Sequence, residues 1–366
     1  MFYLPYKQRA VIARQRGAAL IVALLVFAIA SALMVGLQRD FTLQLQRGSN
    51  SFLQEQAWVY LEGAENLAAM GLRLDAAQDS ASDSPRDDLT ELWAQEATPY
   101  PLDEQGWLLG SLEDLEGRFN LNGLVAGEAA VSEGERDSSA LGSSNPGSSN
   151  PGTSNIGASK LSVQQKQFIR LLQTLEDVEI GVSEARALTD AVIDFIDRND
   201  VPRPDGAEAE AYRNLMPAYR PSNRSLASVS ELRAVKGFTP EIYQALAPWV
   251  SVWPSDSSKL NIHTAPITLL RSLNTDDQLE PLPLFDAQRL SELRSAGEFS
   301  DLDTFLADPA FSGGATDELR TILGETSDWF LLRAQVEIAG REQRLYSVLE
   351  RDGQRVVSRY RSLGEL

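Results

Sequence analysis

Cysteine is absent from the 366 residues, and histidine occurs once, at His263. The first absence removes disulfide frameworks, thiolate nucleophiles and Cys-rich zinc sites. The second removes multi-His metal centres and leaves a Ser-His-Asp triad one possible base, for which a structural histidine is the plainer reading. Positive charge is scarce too: 33 Lys and Arg against 52 Asp and Glu give a formal charge of −19. That balance repels phosphate backbones and anionic lipid and suits cations, so nucleic acid is not expected as a partner. Hydrophobic content is ordinary, at 43%, in a chain long enough for two cored domains, which argues against a wholly disordered protein.

Charge is missing in a more local way near the N-terminus. Residues 1–17 hold Lys7, Arg9, Arg14 and Arg16 with no acid, and Gly17 to Gln38 hold no charge at all. As a helix, 18–37 would run about 30 Å, the thickness of a bilayer's hydrocarbon core. The basic leader keeps the N-terminus in the cytoplasm, so everything after about Arg39 is delivered across the membrane. Ala28-Ile29-Ala30 offers an ordinary signal-peptidase site, with a soluble chain starting at Ser31 as the alternative. Against it, apolarity continues to Leu37 and the leader meets the apolar run abruptly.

That junction, RQRG followed by AALIVALLVFAIASALMVGL, resembles the class III signal of type IV pilins and type II secretion pseudopilins. The resemblance implies that a prepilin peptidase cuts after Gly17 and that N-methylated Ala18 becomes the first mature residue. Loss of the four basic leader residues would take the formal charge from −19 to −23. Val22 stands at mature position five, where most pilins carry Glu. Within pseudopilins, lack of that Glu marks the K subunit, thought to sit at the tip.

Beyond the anchor, Phe41, Leu45, Phe52, Trp58, Leu61 and Leu67 recur at roughly helical spacing, which predicts an amphipathic continuation over 38–75 despite Gly48 and Gly63. The stretch 76–125 is expected to begin a pilin-like α/β domain, with short strands at 107–112 and 117–122. Between 126 and 160 the composition falls to Gly, Ser, Asn and Pro, with SSNPG occurring twice in succession, which reads as a flexible loop. Six stretches over 161–325 carry helical periodicity and plausible caps, so an all-helical segment is expected there. The last part, 326–366, alternates apolar with polar residues around Gly340-Arg341 and Asp352-Gly353, the pattern of an antiparallel meander. The expected fold class is α+β: a transmembrane and amphipathic pilin helix, a small antiparallel sheet, and a large all-helical domain inserted in that sheet.

The ordered set GRFNLN at 117–122, VIDFIDRNDVPRPDGAEAEAY, SLASVSELRAVKGF and LNIHTA resembles the minor pseudopilin K family of type II secretion over nearly the whole mature chain. The resemblance implies a single-pass inner-membrane protein with a periplasmic bulk. It would cap the pseudopilus with the I and J minor pseudopilins above the major pseudopilin filament, with no catalysis required.

The loop Asp197-Arg198-Asn199-Asp200-Val201-Pro202-Arg203-Pro204-Asp205-Gly206-Ala207-Glu208 crowds oxygen donors into a bent segment, as a hard cation such as Ca²⁺ requires. The resemblance implies structural calcium there, with Asp197, Asn199 and Glu208 matching the family pattern and Asp200 and Asp205 as further candidates. The alternative is a solvated acidic loop whose Asp and Asn cap local turns.

The run SVSELRAVKGFTPEIYQALAPWV, followed by LNIHTAPITLLRSL, is also similar to helix-hairpin-helix modules, which raises a periplasmic DNA-binding or uptake protein as the rival function. Residues 160–325 hold 16 Lys and Arg against 26 Asp and Glu, with no basic cluster at the turn, which argues against it. Paired acids such as Glu113-Asp114 and Asp276-Asp277 leave a glycosidase as a third option. Trp93, Trp107, Trp249, Trp253 and Trp329 read more simply as core or interface anchors.

Overall fold

The computed structural model describes residues 16–82, 84–95, 97–102, 106–125 and 161–364. Most of the expected leader and the whole 126–160 loop lie outside them. The chain divides into two units, Met1–Val59 and Tyr60–Leu366.

The described residues of the first unit are helical. The helix α1, Arg16–Asp79, runs without a break through Gly48 and Gly63. Its apolar stretch from Ala18 is exposed residue by residue, and among the described residues it is the one helix long and apolar enough to cross a membrane.

In the second unit the end of α1 lies against a five-stranded antiparallel sheet. In chain order its strands are β1 (Tyr100–Leu102), β2 (Gly106–Asp114), β7 (Trp329–Ile338), β8 (Arg341–Asp352) and β9 (Arg355–Ser362), and they neighbour one another in that order. Strand alternation sends Phe330, Leu332, Ala334 and Val336 to one face, all buried. Leu345, Ser347 and Leu349 of β8 oppose Ala334, Leu332 and Phe330, so they share that face. Glu65 of α1 accepts a hydrogen bond there from Ser347 Oγ at 2.6 Å and pairs with Arg361 at 2.6 Å. Leu61 and Leu72, both fully buried, share this side of α1 with Ala64 and Ala76.

The continuation expected over 38–75 is helical, and most of the large apolar residues that suggested its amphipathic face lie away from the sheet. Of the apolar residues that suggested it, Leu61 is buried, whereas Phe41, Leu45, Phe52, Trp58 and Leu67 are exposed. The buried stripe uses small residues and one paired acid, which a count of large apolar residues does not see.

Two tight turns close the meander. Ala339 and Gly340 both have positive φ, 50° and 73°, the conformation of a two-residue turn that matches strand twist. Gly353, at φ 56°, serves the second.

Between β2 and β7 the chain forms β3 (Phe119–Asn120), α2 (Val163–Leu172), α3 (Val182–Ile196), α4 (Ala209–Arg213), α5 (Pro240–Leu246), β4 (Val250–Ser251), β5 (Leu260–Asn261), α6 (Ile267–Arg271), α7 (Leu284–Ser295), α8 (Leu302–Leu306), α9 (Asp317–Ile322) and β6 (Leu323–Gly324). This stretch is helical in the main but not throughout, because β3 pairs with β4 and β5 with β6, both in parallel. Within the expected 228–236 helix, Val229–Ala234 form a 3-10 helix, which ends where Val235 turns extended. The strand expected over 117–122 shrinks to two residues. Asn120 Oδ1 accepts from Asn122 N at 3.0 Å and bends the chain, while Asn122 Nδ2 donates to Leu226 O and Val252 O. Phe168, Ile169, Val192, Ile193, Leu246, Leu269, Leu290 and Leu319 belong to one continuous core. On the sheet's other face Leu115, Leu331 and Val348 form a small cluster, with Trp253 stacked on Trp329 at 5.7 Å.

Candidate functional site

The acidic loop joins α3 to α4. The α3 sequence buries Ala185, Leu188, Ala191, Val192 and Phe195 on its apolar face, and the same helix buries Asp194 completely. Asp197 follows as the C-cap, and Glu208 is the N-cap residue of α4. Two successive side-chain turns shape the loop: Asp197 Oδ1 accepts from Asn199 N at 3.0 Å, and Asn199 Oδ1 accepts from Val201 N at 2.8 Å. The chain then folds back, and Arg203 N donates to both Asp194 oxygens, at 3.1 and 3.3 Å. Buried Tyr212 fixes α4 by packing on Phe195 at 5.7 Å and accepting from Lys236 N at 3.1 Å.

The return brings one carboxylate oxygen each of Asp194, Asp197 and Glu208 within 4.8 Å of one another, with all three residues buried. Both Glu208 oxygens lack a hydrogen-bond partner. Burial first, and then the charges of Asp194, Asp197 and Asp200, push the Glu208 carboxyl up to about 7. Burial likewise raises Asp194 to about 6, against the Arg203 and Ala207 amides that favour its ionised form. A Cβ at position 206 would overlap the Asp194 carboxylate, so Gly206 is required for the close approach. Converging carboxylate oxygens, with both Glu208 oxygens lacking a hydrogen-bond partner, fit a hard divalent cation.

Of the five expected ligands, the structure brings Asp197 and Glu208 together and adds Asp194. Asn199, Asp200 and Asp205 are exposed and outside the converging trio. Asn199 spends its side-chain oxygen on the turn, and Asp200 acts on Glu208 through its charge. The one sequence signal for Asp194 is its place as an acid one helical turn before Asp197.

A second acidic trio, Asp75, Asp79 and Asp87, already has a cation at hand: Arg351 pairs with Asp75 at 2.7 Å and with Asp87 at 2.6 Å. His263 is buried, with its pKa pushed down to about 4 chiefly by that burial. Its Nε2 makes no hydrogen bond and lies 3.8 Å from a Glu325 carboxylate oxygen. Gly17 and Ala18 lie in the first turn of α1.

The family model for type II secretion system (T2SS) protein K matches residues 117–255. The type II secretion system protein K of Pseudomonas aeruginosa is 33% identical over 96% of this chain and 94% of its own length. This chain belongs to the type II secretion system protein K family. Its relative from Klebsiella pneumoniae is 29% identical over 93% of this chain and 94% of its own length. Among solved structures, that of the GspK-GspI-GspJ complex from the enterotoxigenic Escherichia coli type 2 secretion system shares the fold. It has a TM-score of 0.64 and 23% identity, covering 87% of this chain and all of its own. These relatives are secretion proteins, which leaves the DNA-uptake reading of the protein K chain without support.

Proposed function

We propose that this protein is a minor pseudopilin that caps the tip of the periplasmic pseudopilus with the I and J minor pseudopilins and helps to start its assembly. The observation that carries this reading is similarity to protein K along almost the entire chain. A prepilin peptidase would cut after Gly17, and the mature chain would sit in the inner membrane as a single span with residues beyond about 39 in the periplasm. The exposed face of α1, from Phe41 and Leu45 to Leu67, Met70 and Leu74, supports packing against neighbouring pseudopilin helices. Residues 161–325 form the helical domain inserted in the pilin-like sheet, and its bulk would block addition of a further subunit. The task is mechanical and uses no catalytic group.

Within that domain, Asp194, Asp197 and Glu208 hold a structural Ca²⁺, with Asn199, Asp200 and Asp205 available around it. The ion would add positive charge where the three carboxylates converge and tie α3 to α4.

The test is co-expression with the I and J subunits of the native bacterium, followed by purification from membranes and mass spectrometry of the N-terminus. A ternary complex whose K chain begins at methylated Ala18 is expected. A soluble chain beginning at Ser31, or failure to join I and J when both are present and folded, refutes the proposal.

A further inference from the structure

Where α1, the 84–95 segment, the end of β2 and β8 meet, the second unit buries carboxyl groups far in excess of cations. Asp87 is fully buried, and Asp114 and Glu116 nearly so. Asp75 and Asp79 come from α1, Glu91 from the following segment, and Asp328 from the approach to β7. The cation among them is Arg351 of β8, which donates to Asp75 at 2.7 Å, to both oxygens of Asp87 at 2.6 Å and to Ser327 O at 2.6 Å. Its guanidinium lies 5.0 Å from the centre of the Phe330 ring. The other charged groups facing the cluster are the acids Asp88, Glu325, Glu350 and Asp352 and the bases Arg86 and His263. Arg86 is paired with Asp88 at 3.0 Å, and His263 is neutral.

Neutral donors serve the carboxyls that Arg351 does not reach. Asp114 Oδ2 accepts from Thr264 Oγ1 at 2.5 Å, Ser327 Oγ at 2.6 Å and Asn261 Nδ2 at 3.2 Å. Glu116 accepts from Asp328 N, and Glu91 from Trp93 Nε1, each at 2.5 Å. Several of these bonds tie together segments distant in the chain, yet they bring no positive charge. Burial, followed by mutual repulsion, lifts Glu116 and Glu91 to about 8 and Asp75 and Asp114 to about 6, and raises Asp328 and Asp79 as well. So many like charges in one dry site do not ionise together.

We infer that this joint is a proton-dependent clasp, closed while the carboxyls beyond Arg351 keep their protons and loosened when alkali removes them, so that pH governs how firmly residues 60–95 hold to the sheet. Each of these groups titrates higher in the folded than in the unfolded chain. The stability it gives is complete below about pH 4 and is lost as pH rises through 6 to 8. This runs opposite to ordinary acid denaturation, and it is independent of any calcium at the loop.

The test is hydrogen exchange read by mass spectrometry on the full-length chain in detergent micelles, at pH 6 and pH 8.5, with calcium constant and intrinsic exchange rates corrected. A carboxyl that holds its proton only in the folded state weakens that state up to about tenfold per pH unit. Protection of 60–79, 84–95 and 344–352 is therefore expected to fall at least about tenfold, and that of 163–172 much less. Glu91→Gln with Glu116→Gln fixes the neutral forms and keeps their hydrogen-bond acceptors, so protection should persist at pH 8.5. Should the double variant fail to fold, Glu91→Gln alone, at a half-buried position, must retain part of the protection. Equal protection of the wild-type chain at both pH values overturns the inference, as does a fall in Glu91→Gln as large as in wild type.

Discussion

Replacing Glu208 by Gln separates the calcium reading from a merely acidic loop, because it should act in opposite ways with and without the ion. At pH 7.5, above its raised pKa of about 7, Glu208 carries its charge beside Asp194 and Asp197. A pKa unit is worth about 1.4 kcal/mol, so the rise from 4.5 to about 7 costs the ion-free fold of the order of 2 kcal/mol once solvent screening is allowed for. The substitution removes that charge. In chelator the variant should therefore melt above wild type, by about 4 °C if 1 kcal/mol moves Tm about 2 °C in a unit of this size. The advantage should shrink as pH falls below 7 and disappear below about pH 4, where the unfolded carboxyl is protonated as well.

In calcium at about a hundred times Kd, wild type should gain about 2.7 kcal/mol, or about 5 °C, and Glu208→Gln should retain little of that gain. Differential scanning calorimetry in calcium and in chelator measures both arms. A variant that melts at or below wild type in chelator at pH 7.5, or that keeps the full calcium-induced rise, refutes the reasoning.

Gly206→Ala is expected to lower stability by about 2 kcal/mol and to abolish the calcium-induced rise in Tm, because its Cβ displaces the Asp194 carboxylate. Calorimetry in both buffers reads the two effects. Leu72→Ala removes a fully buried side chain from the α1 and sheet interface and should cost about 3 kcal/mol in chemical denaturation. Gly17→Leu should leave the basic leader on the protein, visible as the intact N-terminal peptide by mass spectrometry. A normally processed N-terminus in that variant would remove the class III assignment.

Much of the fold was legible because its signals are local. The uncharged run after Gly17, the alternation through 329–362 and the turn residues at 340 and 353 each depend on near neighbours, and the structure places elements there. The face of α1 that meets the sheet was not legible, since Leu61, Ala64, Glu65 and Leu72 are chosen by what the strands present to them. The same holds for GRFNLN, where Asn120 bends the chain and the Leu226 and Val252 carbonyls, distant in sequence, hold the Asn122 side chain.

The candidate site divides in the same way. Sequence by itself determined that an acid-rich, Pro- and Gly-bent loop follows a helix, and that Asp197 and Glu208 belong to it. Only the tertiary structure decided that Asp194 joins them while Asn199, Asp200 and Asp205 stay outside, and that Arg351 lies between Asp75 and Asp87. Composition and periodicity record what each residue prefers of water and of its neighbours a turn away. Which carboxylates end up sharing one dry site is fixed by packing between segments distant in the chain, and that packing exists only once the chain has folded.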